Sequence, residues 1–262
     1  MAERVSIASE ILKFLLAAVY AVLLVLIGPV SVWLVFAART PVGKGIAVMG
    51  LLTLAVAADL FVWFRRTPHP RLWGWSTVVF VLVWIGLGYL IVRAAPGGKP
   101  PAGSPVSHRF TSDATFSRYA LANVVPEVEQ VNLGLLAAPA LDPILTGSQA
   151  RRVSRTVFGI YEEMERDASF HALGSAMSWT YAEALGLPFD VGHYYLYVPR
   201  EPAAGARGAI VFLHGSAGNL KAYTWVWSRL AERLGYVVIA PSWGMGDWRR
   251  PGAPSAVLRA LE

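Results

Sequence analysis

Three long apolar runs crowd the first 95 residues of this 262-residue chain, and they constrain it more than anything that follows. The first, about 11–38, is broken only by Lys13 near its start. The second, about 45–64, has Asp59 as its one charge, and the third, about 76–92, has none. A helix needs about 20 apolar residues to cross the hydrocarbon core of a bilayer, in a range of about 17–25. All three runs are long enough, and none has the polar face expected of a helix packed on the outside of a soluble protein. The first is too long for a signal-peptide core and has no small-residue cleavage site followed by a soluble domain. Tilt, or a kink at Gly28-Pro29, would absorb its extra length. Trp33, Trp63, Trp73 and Trp75 fall near the run ends, where indole rings favour the membrane interface. The expectation is a membrane anchor over residues 1–95 with three transmembrane helices. The chain is then an integral, multi-pass membrane protein, and its first partner is the lipid bilayer.

The charges follow the same division. Of the 23 Lys+Arg and 17 Asp+Glu, nine basic and three acidic residues lie in 1–105, and fourteen of each lie in 106–262. The net charge of +6 therefore sits among the apolar runs. A nucleic-acid partner calls instead for a basic patch on a folded domain, so none is expected. A hydrophobic fraction of 55% with 15% charged residues excludes extended disorder. With no Cys there is no disulfide framework and no thiolate site. Arg4, Lys13, Arg65, Arg66 and Arg71 would share one side of the bilayer, against Arg39, Lys44, Arg93 and Lys99 on the other. That excess leans toward a cytoplasmic N-terminus and an extracytoplasmic soluble domain. Asp59, about one turn inside the second run, is read as reaching water or Arg65 and Arg66 rather than as an intramembrane functional acid.

Residues 96–112 open with Pro-Gly-Gly-Lys-Pro-Pro-Ala-Gly-Ser-Pro and read as a Pro/Gly-rich linker. Residues 113–191 read as a helical segment. Pro126 suits a first turn. Ser148 caps a helix with Val153, Val157, Ile160, Tyr161 and Met164 on one face. Ser169 caps another with Phe170, Leu173, Met177, Tyr181 and Leu185 at three- and four-residue spacing. The acids Glu162, Glu163, Glu165 and Asp167 read as a solvated helix face, and His171 shows no partner.

After Gly192 the period changes. Tyr194–Pro199 and Ala209–Leu213 are short β-rich runs separated by a turn-forming stretch. Leu220–Leu234 is amphipathic, with Trp227, Leu230, Ala231 and Leu234 apolar, and Gly235 closes it. Tyr236–Ala240 is a continuous apolar strand of the kind covered on both faces. Strand, helix and strand make a βαβ unit, and Ser255 caps a further helix.

The loop between the first strand and helix of that unit is His214-Gly215-Ser216-Ala217-Gly218-Asn219. From Gly208 through the following Ala240-Pro241, the sequence resembles the α/β-hydrolase superfamily, in particular its esterase and dienelactone-hydrolase-like branches. The resemblance covers about 70 residues, Gly192 to Glu262. It implies an α/β fold: three N-terminal transmembrane helices, the helical segment, and a partial α/β-hydrolase sheet over residues 192–262. In that family the loop after an apolar strand ending in His-Gly supplies part of an oxyanion hole, whose fixed backbone N–H groups are each worth about 3–4 kcal/mol at a developing oxyanion. By this analogy the N–H of Ser216 is one donor, Gly215 lets the backbone approach, and His214 braces the loop. The second donor follows the nucleophile. Trp243, Trp248 and Arg249, in the loop after the next strand, are candidates to line a cleft for a small ester-like substrate, or to form an ordinary surface loop.

His-Gly-Ser-Ala-Gly also approaches the Gly-x-Ser-x-Gly nucleophile elbow, which would make Ser216 the nucleophile. The triad order weighs against this, because an acid and then a His must follow. Asp247 does follow Ser216, but the five histidines are His69, His108, His171, His193 and His214. The sheet therefore reads as truncated before its nucleophile elbow. The chain reads as a serine-hydrolase type lacking nucleophile, acid and base, and so inactive alone. The alternative is a non-catalytic membrane protein with a degenerate hydrolase-like binding or scaffold domain. No phosphate loop, dinucleotide fingerprint or metal-ligand spacing occurs, so no cofactor or metal is expected.

Overall fold

The computed structural model describes residues 2–64, 70–111, 115–141, 146–187, 192–200, 208–215 and 220–262. These divide into two compact units, Met1–Ala94 and Ala95–Glu262.

The first unit holds helices α1 (Ala2–Ala37), α2 (Pro41–Phe64) and α3 (Pro70–Ala94). Within them Glu10–Ala37, Pro41–Val62 and Gly74–Ala94 are long and apolar enough to cross a membrane. Large apolar side chains such as Phe14, Val25, Phe36, Leu82 and Leu90 are exposed on their outer faces. Small residues set the helix contacts. A Cβ on Gly50 would lie 2.0 Å from Ser31 Oγ, so α1 and α2 meet where only glycine fits. Asp59 is 6% exposed. Ser76 Oγ of α3 donates to its carboxylate at 2.7 Å, with Thr77 Oγ1 at 3.5 Å. Asp59 is expected from the sequence to reach water or an arginine; among the described residues it is buried and engaged by hydroxyls of the neighbouring helix. Arg65 and Arg66 lie outside the described residues.

The second unit is built on a four-stranded sheet in the order β1-β2-β4-β3, with β1 Val106–Phe110, β2 His193–Tyr197, β3 Gly208–Val211 and β4 Tyr236–Pro241. β2 runs antiparallel to both β1 and β4, and β3 runs parallel to β4. β1 corrects the linker reading, since a strand forms inside the segment taken as Pro/Gly-rich linker. Its Val-Ser-His-Arg-Phe sequence alternates as a half-buried strand should.

Among the described residues, five helices lie between β1 and β2: α4 (Leu121–Val124), α5 (Glu127–Leu141), α6 (Gly147–Arg166), α7 (Ala168–His171) and α8 (Met177–Ala184). α6 is capped two residues before the expected cap at Ser148. Thr146 is its N-cap and forms a reciprocal capping box with Gln149. Val153 is exposed, while Tyr161 and Met164 are buried. The helix expected from Ser169 to Leu185 is two helices. Asp167 Oδ1 accepts the Ser169 N–H at 2.9 Å to start α7, and α8 follows a turn at 172–176. His171 does have a partner, Glu165 Oε2 at 2.6 Å, and Glu165 also receives buried Lys221 at 3.0 Å. Burial alone would raise the Glu165 pKa, but the Lys221 ammonium and the hydrogen bonds from His171 and Lys221 outweigh it and hold the carboxyl below its ordinary value.

α9 (Leu220–Leu234) joins β3 to β4, giving the expected βαβ unit. Its buried stripe is Leu220, Thr224, Trp225, Ser228 and Ala231, whereas Leu234 is exposed. Hydroxyls can line this face because Thr224 bonds back to Leu220 O and Ser228 to Trp225 O. Their small volume lets the helix approach the sheet. The core gathers Tyr161, Met164, Phe170, Leu173, Tyr195, Trp225, Val238 and Ala240. α10 (Ala253–Leu261) starts after Gly252, with Ser255 in its first turn rather than at its cap.

Candidate functional site

The His214-Gly215 turn sits just past the carboxyl end of β3, and β3 ends beside the carboxyl end of β4. Ligands of open α/β sheets bind along such an edge. Ser216, the expected oxyanion-hole donor, lies outside the described residues, as do Ala217, Gly218 and Asn219. Gly215 is exposed, and a Cβ built on it would meet none of the described atoms within 4 Å.

His214 is 2% exposed. Its Nδ1 lies 2.9 Å from Gly215 O, and its Nε2 accepts the backbone N–H of Trp243 at 3.0 Å. Only one tautomer satisfies both bonds: a neutral ring with its proton on Nδ1. Burial pushes its pKa below the ordinary histidine value, so the ring stays neutral. With both nitrogens engaged it cannot take a proton from a nucleophile. It ties the loop after β3 to the loop after β4.

The second loop is packed hard against the first. Trp248 Nε1 donates to His214 O at 2.8 Å, and its ring meets the imidazole edge-on, with centroids 5.3 Å apart. Gly246, at φ +88°, has no room for a side chain, because a Cβ would stand 2.7 Å from Gly215 O. Trp243 is buried against Ala253, Ala256 and Trp248, and its Nε1 donates to Asp247 O at 2.9 Å. α8 holds the same loop from outside: Thr180 Oγ1 donates to Gly244 O at 3.0 Å, and Glu183 accepts from Met245 N–H and Arg250.

Of the expected cleft residues, Trp243 thus faces into the loop-and-helix core. Trp248 is partly buried against His214. The Arg249 side chain is 92% exposed and pairs with Asp247 at 3.1 Å.

A feature the sequence reading missed lies on the same edge. His193 O accepts the N–H of Ser242, the residue that follows β4. The His193 Nδ1 is 3.1 Å from Nε2 of His108 on β1. Phe110, Trp179 and Tyr195 surround the pair, and the Trp179 and His193 ring centroids are 3.9 Å apart. Burial pushes the His108 pKa down to about 3 and takes that of His193 well below the ordinary value. Both rings are neutral, and one donates to the other. Among the described residues, His108 Nδ1 and His193 Nε2 have no hydrogen-bond partner. The spacing Val106, His108, Phe110 carried the signal, since i, i+2 and i+4 share one face of a strand. The prolines and glycines just before it concealed the strand.

Among the described residues, no group of three His, Cys, Asp or Glu is placed to hold a metal ion. Comparison with known protein families, with curated proteins and with solved structures finds no match.

Proposed function

We propose that the chain is a membrane-anchored member of the α/β-hydrolase superfamily of the carboxylic-ester type. Its 262 residues supply the anchor and one wall of an oxyanion hole, but not the nucleophile, acid or base. The observation that carries the reading is the turn at His214-Gly215. It follows the third strand in chain order and leads into the crossover helix α9, the position from which the superfamily draws one oxyanion-hole amide. A neutral, doubly bonded His214 fixes that turn, as a preorganised donor requires. The count of basic residues flanking the apolar helices favours an extracytoplasmic catalytic domain.

Two measurements test this. The purified chain should show no turnover of a short-chain p-nitrophenyl ester; turnover lost in Ser216→Ala would make Ser216 the nucleophile and overturn the assignment. Reading the gene beyond codon 262 should reveal Gly-x-Ser-x-Gly followed by an acid and a His. A stop with no such sequence would favour a second reading, a binding or scaffold domain. The buried side of Trp243 favours that second reading, because it is anchored in the core rather than presented to a ligand.

A further inference from the structure

The other end of β2, where the strand finishes at Tyr197, borders a cleft of about 470 Å³ formed by residues from the loop after β2, from α9 and from the α6–α7 junction. Three arginines line it: Arg200 from the loop, and Arg229 and Arg233 one turn apart on α9. None of the three forms an ion pair among the described residues. The two acids of the cleft are already committed. Glu232 accepts the Tyr197 hydroxyl and faces the Arg200 N–H at 3.3 Å, and Asp167 caps α7. Burial and the Glu232 contact push the Tyr197 pKa well up, so the phenol remains a donor to that carboxylate.

Nothing in the fold requires this concentration of positive charge. Like charges four residues apart destabilise a helix. The partial negative charge at the end of α9 accounts for Arg233, but not for Arg200, which arrives from a different element. The Arg229 guanidinium lies 4.5 Å from the Trp225 ring centroid. Stacking uses the face of a guanidinium and leaves its N–H edge open for bidentate bonding. Among the described lining residues, three guanidiniums against two carboxylates leave one net positive charge, which matches the single negative charge of a phosphodiester. A guanidinium fork also fits phosphate oxygens.

We propose that the Arg200–Arg229–Arg233 cleft binds a phosphate group, carried either by a lipid headgroup or by a soluble organic phosphate. The site is separate from the His214 turn and does not depend on the hydrolase assignment.

The test uses the full chain in non-ionic detergent and follows 31P line broadening of two probes, short-chain dihexanoylphosphatidylglycerol and glycerol phosphate. Replacing all three arginines (R200Q, R229Q and R233Q) should weaken binding at least tenfold. The control R151Q, R152Q and R155Q, an equal charge change on the exposed face of α6, should weaken it less than twofold. R229Q alone, an exposed substitution that preserves folding, should weaken it about fivefold. Binding of the lipid probe alone supports a headgroup site, and binding of both supports recognition of the phosphate itself. Failure of the wild-type chain to bind either probe, equal loss in both triple variants, or unchanged binding in R229Q and the cleft triple would overturn the proposal.

Discussion

The two ends of one sheet have been treated in opposite ways. At the carboxyl ends of β3 and β4, burial has removed charge: His214, His193 and His108 are all held neutral, and two loops interlock around His214. At the far end of β2, three guanidiniums line a cleft and form no ion pair among the described residues. The first end is organised by desolvation and short-range fit, the second by unspent charge. The first should therefore be sensitive to stability perturbations, and the second to ligand and salt.

The largest expected effect is acid sensitivity. His108 and His193 have folded pKa values below those of the unfolded chain, so the unfolded state binds more protons once the pH falls below about 6.5. Their contribution is complete above that pH and is lost as the pH drops toward the His108 value of about 3. Each such histidine should remove up to about 1.4 kcal/mol per pH unit through that window. Near-UV circular dichroism of the full chain in detergent, melted at several pH values, should show this slope. His108→Phe should flatten it, and an unchanged slope in that variant would show that other groups govern acid unfolding.

Next comes Gly246→Ala. A left-handed residue costs about 1–2 kcal/mol without glycine, and the added Cβ also overlaps Gly215 O. The same melts should register a loss above 2 kcal/mol, roughly the top of that backbone cost alone. His214→Phe should follow, at about 1–3 kcal/mol, because the Trp243 N–H is left buried and unpaired. Tolerance of both substitutions would mean that the two loops are not coupled. The smallest effect is expected at the charged end: Arg229→Gln should shift stability by no more than about 0.5 kcal/mol. A larger loss would mean that its stacking on Trp225 supports the fold, which would weaken the contrast between the two ends.

The anchor was legible because length and hydropathy suffice for a membrane span, and no polar register has to be guessed. The βαβ unit was legible because Gly235 and the apolar run Tyr236–Ala240 punctuate it. β1 was hidden because the prolines and glycines just before it dominate any local reading. Its pairing with β2 is set from 85 residues away, as in the bond between His108 and His193. The buried face of α9 was legible only in part: Ala231 is buried and Trp227 packs against the core, but Thr224 and Ser228 look polar in sequence, although their hydroxyls bond back to the helix. At the candidate site the His-Gly turn could be located, but not its interlock with Gly246 and Trp248, which depends on close approach between two loops. The arginine cleft was illegible for the same reason, since Arg200 lies 29 positions before Arg229 in the chain.

The clasp between Asp59 of α2 and Ser76 of α3 has a bearing on biogenesis. In hydrocarbon a carboxylate stripped of its donors is severely penalised. Sliding or rotating one of these helices past the other would strip it, so the aspartate works as a registration pin. The second and third helices should therefore enter the bilayer as one pre-zipped hairpin rather than in succession, with the first helix joining afterwards by seating Ser31 against the glycine-sized notch at Gly50.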